Sequence, residues 1–383
     1  MYISGRNTRF MEIVIKEVST ATDLDKFIRF PYQLYKNAAG WIPPLMKGEY
    51  TILSRSKNPI FSNAEMVLYL AFKGTELVGR IAGIINYNET AALNKNIARF
   101  GSMEFVNDPQ VSRALVEAVE DWAGSKGMTA LKGPVGFTNL DSAGLLTEGF
   151  NEPGVFATTW NFEYYPAHLA ALGYEKEMEW VEFEFTLPTA VPDRLNQFSG
   201  LLKTRFGMEV YQFKSRTELK QHTAELFDLL MEAYRSLPTY VPMSKQQIEW
   251  YLNQYIGFLK PNYFTVVKNN NNQIIGFGIT LPSLANAMKK ANGSLFPFGF
   301  YHVLKALLKN DTADLVLIGV KDEWRKKGVP ALIFHEQIKV FIQLGVSKIK
   351  VHPMLEDNIH VLFLFKDFGA RLYRRRRCLI KNL

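Results

Sequence analysis

Apolar and polar positions follow the same order twice along the chain. In the first half they alternate with a period of two, which predicts β-strands at residues 12–18, 67–73, 76–86, 99–106, 129–132 and, as a terminal pair, 174–187. Apolar residues at helical spacing predict helices over residues 22–35, from Pro109 to about Gly127, and over residues 165–172.

The second half repeats this order after a proline-bounded linker at residues 188–192. Strands are predicted at residues 209–213, 263–267, 274–281, 315–320, 347–351 and 371–380. Helices are predicted at residues 219–234, 301–308, 330–344 and 358–368. Each strand–helix–strand passage implies a parallel crossover, so we expect two α/β domains, residues 11–190 and 195–383, each a mixed sheet flanked by helices.

Composition narrows the class of protein. The 383 residues are 47% hydrophobic and 21% charged, which is typical of a soluble globular protein. The single cysteine, Cys378, excludes an intrachain disulfide and a four-thiolate zinc site, and favours a reducing, cytoplasmic location. The six histidines have no metal-ligand spacing, so we expect no bound metal.

The net charge of +8 includes four consecutive arginines, Arg374, Arg375, Arg376 and Arg377. Such a run can bind nucleic acid or membrane headgroups. The simpler interpretation is that alternate arginines of a terminal strand face water. Because no known nucleic-acid-binding motif accompanies the run, we expect no nucleic-acid partner and no membrane span.

A basic turn between a strand and a helix is the most informative stretch of the chain. The apolar residues 315–320 lead into Arg325, Lys326, Lys327 and Gly328, and a helix opens directly afterwards. Backbone amides at a helix N-terminus attract phosphate, and a glycine lets the backbone approach an oxygen closely. The pattern predicts an anion site, although an ordinary solvated turn can have the same composition.

This stretch resembles motif A of the GNAT acyltransferase superfamily, in which an Arg-x-x-Gly loop holds the pyrophosphate of acyl-CoA. The resemblance implies two tandem GNAT-like domains, each with a mixed, mostly antiparallel sheet, and acetyl-CoA or another acyl-CoA as substrate. By the same resemblance, the pantetheine arm would lie along Ile318, Gly319 and Val320, and the later helix would begin at Asn358. The loop that holds the pyrophosphate would comprise Arg325, Lys326, Lys327, Gly328, Val329 and Ala331.

Two positions of the second half depart from the family pattern, and the first half lacks the phosphate-binding turn. Pro330 removes an amide from the phosphate loop, and Phe365 stands where the family usually has a tyrosine that reprotonates the CoA thiolate. In the first half the corresponding turn at residues 107–112 has no glycine and places Asp108 where phosphate would lie. The resemblance therefore assigns CoA binding to the second half alone.

The glycine-rich loop at residues 133–165 is long enough to suggest a functional role. Carboxylates beside aromatic side chains suit a cationic acceptor, so the candidate substrate-binding residues are Thr138, Asn139, Asp141 and Trp160. A brace between the two domains would explain the loop equally well.

The function implied by the resemblance is direct transfer of an acyl group, with acetyl as the expected group, from acyl-CoA to a small-molecule or peptide amine. A base must accept the amine proton, and Tyr240, Asp141 and Glu148 are the candidates. A non-catalytic GNAT-fold module that binds a ligand or a partner remains the alternative, supported by Pro330 and Phe365.

Overall fold

A computed structural model describes residues 12–237, 240–255, 257–358, 365 and 368–383. In the first half the strands are β1 (Ile13–Glu17), β2 (Ala64–Lys73), β3 (Glu76–Asn86), β4 (Ile97–Phe105), β5 (Ala130–Gly133), β6 (Leu145–Glu148) and β7 (Glu175–Thr186). The helices of this half are α1 (Ala21–Leu34), α2 (Met46–Ile52), α3 (Tyr87–Leu93), α4 (Pro109–Ser125) and α5 (Tyr165–Ala171).

The second half has the same order with additional helices. Its helices are α6 (Asp193–Phe206), α7 (Arg216–Gln221), α8 (Thr223–Tyr234), α9 (Lys245–Tyr255), α10 (Ala285–Ala291), α11 (Gly299–Leu308) and α12 (Val329–Gln343). Its strands are β8 (Glu209–Gln212), β9 (Phe264–Lys268), β10 (Ile274–Pro282), β11 (Thr312–Val320), β12 (Lys348–Val351), β13 (Met354–Leu355) and β14 (Arg371–Asn382).

The fourteen strands found in the described residues belong to one sheet. Twelve of them follow the order β1-β2-β3-β4-β5-β14-β7-β12-β11-β10-β9-β8, while β6 pairs with β14 and β13 pairs with β7. Most neighbours are antiparallel, and the parallel pairs are β4 with β5 and β11 with β12. The predicted mixed, mostly antiparallel sheet flanked by helices is therefore confirmed.

The two halves exchange their last strands. The expected terminal strand pair at residues 174–187 is wrong: this segment is one strand, β7, and its partner is β14 from the chain's other end. Strand β14 lies between β5 and β7, and β7 in turn lies between β14 and β12. Because the sheet continues through this exchange, the division at residues 190–195 stays a prediction.

The exchange buries half of the arginine run. Arg374 and Arg376 are 1% and 0% exposed, whereas Arg375 and Arg377 lie at the surface and pair with Glu179. Arg376 pairs with Glu182, which is also fully buried. Alternate arginines of this terminal strand thus lie at the surface, as the simpler interpretation expected, while the other two are buried, so the run is not a free basic patch.

Each half has its own long helix packed on the sheet. Val111, Leu115 and Val119 of α4 are fully buried in the first core, and Leu332 and Ile338 of α12 are fully buried in the second. Burying one such side chain contributes about 1.5–3 kcal/mol. Within the part of the chain that the structure describes, no helix is both long and apolar enough to cross a bilayer.

Candidate functional site

The parallel strands β11 and β12 separate and leave a fork, which we call the C-terminal fork. Their pairing ends at Leu315 and Val351, where the His352 amide donates to the Leu315 carbonyl at 2.9 Å. Strand β11 continues to Val320 and there pairs only with β10. Ile318, Gly319 and Val320 therefore present an edge along which an extended ligand can lie.

The basic turn stands at the mouth of this fork. Asp322–Lys327 form a 3-10 turn, and Gly328 then takes a left-handed φ of +80° at the N-cap of α12. A left-handed backbone favours glycine, and no side chain caps the helix. An uncapped helix N-terminus is an anion-binding site by virtue of its amides and dipole.

The side chains of the turn keep their charges near this helix end. Arg325 and Lys326 are exposed, and Arg325 pairs with Asp322 at 2.8 Å and donates to the Ala233 carbonyl. Lys327 lies 4.1 Å from the ring centroid of Trp324. The predicted phosphate residues thus cluster on one short turn, with Val329 and Ala331 buried in the first turn of α12.

The equivalent N-terminal fork, between β4 and β5, is closed. The Asp108 carboxylate caps α4 by accepting from the Gln110 amide at 2.9 Å. Lys73 lies 2.8 Å from the same carboxylate and holds the pKa of Asp108 below its usual range. At the end of β4, the hydroxyls of Tyr164 and Tyr165 donate to the Phe105 carbonyl. A carboxylate and two phenols thus take the positions that an anion and an extended chain would need.

A cavity of about 270 Å³, the C-terminal cavity, opens beside the C-terminal fork. Its walls come from α8, β9, β10 and β11, and most of the lining side chains are apolar, among them Leu226, Leu230, Phe277, Val316 and Leu317. The imidazole of His352 lines it next to the point where the strands part.

A second cavity of about 310 Å³, the N-terminal cavity, occupies the equivalent position in the first half. Helix α1 and strands β2, β3 and β4 line it in the same way, but the lining includes Tyr32, Glu49, Arg80 and Glu104. The two halves thus build corresponding cavities, both largely apolar, and the N-terminal one has more charged side chains in its lining.

The glycine-rich loop separates the two cavities. Its residues Asp141, Ser142 and Thr158 line both of them. The structure places the predicted substrate residues Thr138 and Asn139 on the C-terminal cavity and Trp160 on the N-terminal one. The loop is also braced, as the alternative proposed.

The bracing comes from the buried arginines. Arg376 donates to the Thr159 carbonyl and hydroxyl at 2.6 and 2.9 Å, and Arg374 donates to the Glu152 carbonyl. The two interpretations of the loop are therefore compatible, because the contacts that hold it also fix the wall between the cavities.

Asp141 is the acidic side chain that faces both cavities. Its carboxylate accepts from the Thr138 amide at 2.8 Å and from the Tyr251 hydroxyl at 2.9 Å. Burial raises the pKa of Asp141, and these hydrogen bonds oppose the rise without cancelling it. The carboxylate is thus held in place and is more basic than an ordinary aspartate.

The sequence did not indicate three further residues at the site. Tyr251 comes from α9, a helix that the apolar pattern did not predict. Burial lowers the pKa of His352 to about 4, so its ring is neutral at neutral pH. Tyr234, one helical turn beyond Leu230, lies near the backbone of Ile318, and burial raises its pKa to about 12.

The other catalytic candidates from the sequence lie away from the C-terminal fork and the two cavities. Glu148 is 59% exposed and pairs with Arg375 at 3.3 Å, and Tyr240 lines neither cavity. Phe365 is buried in an aromatic cluster with Phe185 and Phe334.

Asn358 is exposed, and most of the predicted helix that follows it, residues 359–364 and 366–367, falls outside the described residues. Burial raises the pKa of Cys378, so the arginines beside it do not activate the thiol. In the described part of the chain, no cluster of His, Cys, Asp and Glu could hold a metal ion.

Solved structures with this architecture identify the fold. A tandem GNAT protein from the clavulanic acid biosynthesis pathway superposes with a TM-score of 0.59 at 12% identity, covering 97% of this chain and 98% of that chain. A GCN5-related N-acetyltransferase from Sphaerobacter thermophilus gives 0.53 at 11% identity, covering 97% and 95%. The chain therefore has the tandem GNAT fold, as its sequence motifs predicted.

Two curated proteins are similar in sequence over almost their whole length. Protein YghO of Escherichia coli is 28% identical over 380 residues, 97% of this chain and 95% of that protein. A bacterial ceramide synthase of Caulobacter vibrioides is 24% identical over 388 residues, 97% of this chain and 98% of that protein. No family model matches the chain.

Proposed function

We propose that the chain is an acyl-CoA-dependent N-acyltransferase that works at the C-terminal fork. The observation that carries the proposal is an uncapped, basic helix N-terminus at the mouth of a strand fork that leads to an apolar cavity. The other half has the same elements but a capped helix and a filled fork. The reducing, cytoplasmic location that a single cysteine favours is part of this proposal.

The pyrophosphate of CoA would bind at the turn. Arg325, Lys326 and Lys327 supply positive charge, and the amides of Gly328, Val329 and Ala331 supply donors at the helix end. Pro330 lacks an amide, so the protein has one donor fewer than the family pattern. The pantetheine arm would then run along Ile318, Gly319 and Val320 into the fork, with Asn358 near its path as the resemblance implies.

The C-terminal cavity suits an acyl chain longer than acetyl. Its lining is dominated by leucine, phenylalanine and valine side chains, and it extends from the fork past Leu317 to Leu226. The similarity to a bacterial ceramide synthase supports the same choice, because a ceramide is an N-acylated long-chain amino alcohol. We therefore propose a fatty acyl-CoA as donor, in place of the acetyl-CoA expected from the sequence, and an apolar amine as acceptor.

In the proposed reaction, a neutral amine attacks the thioester carbonyl. A C–N bond forms, the C–S bond breaks, and the electron pair leaves with the CoA sulfur. Asp141 accepts the amine proton, because it lies on the wall between the two cavities and its pKa is raised. His352 is less suited as the base, because its pKa of about 4 makes it weakly basic.

Tyr234 would stabilise the leaving sulfur. Its hydroxyl lies near the Ile318 backbone at the edge of the fork, where its O–H could donate to the sulfur. Its pKa of about 12 lies above that of a thiol, about 8.5. It therefore donates a hydrogen bond to the thiolate rather than transferring its proton completely.

The test is thiol release from fatty acyl-CoA with a series of long-chain amines. Asp141→Asn should lower kcat by about 10²–10⁴-fold. The wild-type rate should fall as the pH drops through the raised pKa of Asp141, because the base must be ionised. The rate of Asp141→Asn should not show this fall. Glu148→Gln, an exposed acid on the same loop, is the matched control and should leave the rate unchanged.

An unchanged rate in Asp141→Asn would reject this residue as the base. Binding of acyl-CoA without thiol release with any amine would instead favour the non-catalytic module.

A further inference from the structure

The N-terminal cavity contains more negative than positive charge. Glu49, Glu104 and Asp141 line it, against the one guanidinium of Arg80. Arg80 is already neutralised, since its Nε lies 2.5 Å from Glu104 and its Nη1 donates to the Phe27 carbonyl at 2.6 Å. Among the described residues the Glu49 carboxylate has no hydrogen-bond partner, and burial raises its pKa. Among the described residues, the acidic side chains of this lining thus outnumber the cationic ones.

Aromatic rings and a free amide complete the lining. Tyr32, Trp41 and Trp160 face the cavity, with the rings of Tyr32 and Trp41 5.2 Å apart. Aromatic faces attract an ammonium group. The Nε2 of Gln254, which also lines the cavity, is buried without an acceptor among the described residues. Such a donor suits an oxygen close to the ammonium, as in an amino alcohol.

We propose that the N-terminal cavity binds the ammonium group of the acyl acceptor, with Glu49 as its counter-ion. The inference rests on the proposed function and names where its acceptor binds. The ammonium must give one proton to Glu49 before it can react. Because Asp141 lies on both cavities, the resulting neutral amine then passes this residue to reach the acyl group in the C-terminal fork, and Asp141 takes the second proton as the C–N bond forms. In this proposal the N-terminal half, which lacks the phosphate-binding turn, binds the acceptor.

Direct binding tests this site without turnover. Trp41 and Trp160 line the cavity, so their fluorescence reports its occupation by octylamine or by its uncharged analogue octanol. We expect wild-type protein to bind octylamine at least about tenfold more tightly than octanol, and Glu49→Gln to lose this preference, because a charged hydrogen bond is lost. Equal binding of the two probes by the wild type, or a preference kept by Glu49→Gln, would overturn the inference.

Kinetics separate this inference from the proposed function. Glu49→Gln should raise the KM for the amine by about tenfold or more while leaving the Kd for acyl-CoA unchanged. If octylamine binds but no amine is acylated, the proposed function fails and the site stands. If the amine is acylated and its KM is unchanged in Glu49→Gln, the site fails and the function stands.

A different observation carries a second inference, about the surface of helix α11. Six large apolar side chains within residues 296–308 are between 48% and 78% exposed: Phe296, Phe298, Phe300, Tyr301, Leu304 and Leu308. Residues 282–310 contain four lysines, at positions 289, 290, 305 and 309, and no aspartate or glutamate. We call these residues the α11 surface. Contiguous exposed apolar side chains of this kind mark an interaction site.

The opposite side of α11 is firmly packed. Val303 is buried, and Ala306 and Leu307 pack on a cluster that includes Met288 and Ile42. Phe156 and Phe258 belong to this cluster and also line the N-terminal cavity. The α11 surface is therefore packed against the wall of the N-terminal cavity.

We infer that the α11 surface docks on an anionic phospholipid membrane. Aromatic and leucine side chains on one face of a helix, flanked by lysines, suit insertion at the level of the headgroups. The uniform positive charge of residues 282–310 complements anionic lipids. An apolar acceptor dissolved in the membrane would then reach the N-terminal cavity from this side.

Co-sedimentation with vesicles tests the membrane inference. Binding to vesicles of phosphatidylcholine with phosphatidylglycerol should exceed binding to phosphatidylcholine alone and should weaken with salt. The double variant Leu304→Ser/Leu308→Ser should lower the binding at least about tenfold. The matched control is Phe198→Ser/Leu201→Ser, on the exposed side of α6, which should bind as the wild type does.

Two outcomes would overturn the membrane inference. The first is vesicle binding that is equal in the two double variants. The second is concentration-dependent self-association that is lost in Leu304→Ser/Leu308→Ser, which would make a second copy of this chain the occupant. Octylamine binding, measured in both double variants, verifies that they are folded.

Discussion

The two forks share one order of elements but differ at the N-cap residue, which directly precedes the long helix. In the N-terminal fork this residue is Asp108, whose carboxylate occupies the helix end and pairs with Lys73. In the C-terminal fork it is Gly328, which has no side chain to offer and leaves the helix end free. In the proposed function, this one position decides which half can receive a phosphate.

The cavities beside the forks show the same divergence. Equivalent elements carry Arg80 and Glu104 in the first half but Phe277 and Leu317 in the second. The repeated fold therefore supplies two corresponding cavities, and our proposals place a charged group in one and an apolar chain in the other.

The largest effect is expected where the halves exchange strands. Arg376→Met leaves the buried Glu182 carboxylate without its partner, which should lower the free energy of unfolding by about 3–5 kcal/mol. Arg377→Met removes a surface cation, and Arg375 still pairs with Glu179, so this change should cost less than about 1 kcal/mol. Urea unfolding of both variants measures the difference; equal losses would contradict the exchanged-strand account.

Transplanting the capping carboxylate should abolish the difference between the forks. Gly328→Asp should weaken CoA binding by about 100-fold, because the carboxylate competes with phosphate for the helix end. Gly328→Asn has nearly the same shape and tolerates a left-handed φ, so it should lose far less affinity. Calorimetric titration with CoA distinguishes the two; the same loss in both would point to the backbone instead of the charge.

A smaller effect is expected at the leaving sulfur. Tyr234→Phe should lower kcat by about tenfold, because one hydrogen bond to the developing thiolate is lost. Phe365→Tyr should not raise kcat, since this ring is packed against Phe185 and Phe334. Steady-state assays of both variants test this assignment. A higher kcat in Phe365→Tyr would show that position 365, and not Tyr234, is where a donor to the thiolate acts.

Local signals predicted the elements on which the proposed acyl-CoA site is built. The apolar run before Val320, the basic turn and Gly328 are adjacent in sequence, so their periodicity and turn chemistry indicated the strand, the turn and the start of α12. The same kind of local evidence predicted the turn with Asp108 at the start of α4 in the other half.

Contacts between distant parts of the chain could not be predicted from patterns. The environment of Arg376 depends on Glu182, which is 194 positions away, and that of Asp141 depends on Tyr251, which is 110 positions away. A period-two pattern predicts a strand but does not show which strand lies beside it. For this reason the strand exchange, the buried arginines and the wall between the cavities emerged only from the structure.

The most direct test of the account is the number of CoA molecules bound per chain. Calorimetric titration of the full chain with CoA should give one site, which Gly328→Asp removes and Asp108→Asn does not change. Two sites per chain, or a single site that survives Gly328→Asp and is lost in Asp108→Asn, would contradict the claim that only the C-terminal fork binds acyl-CoA.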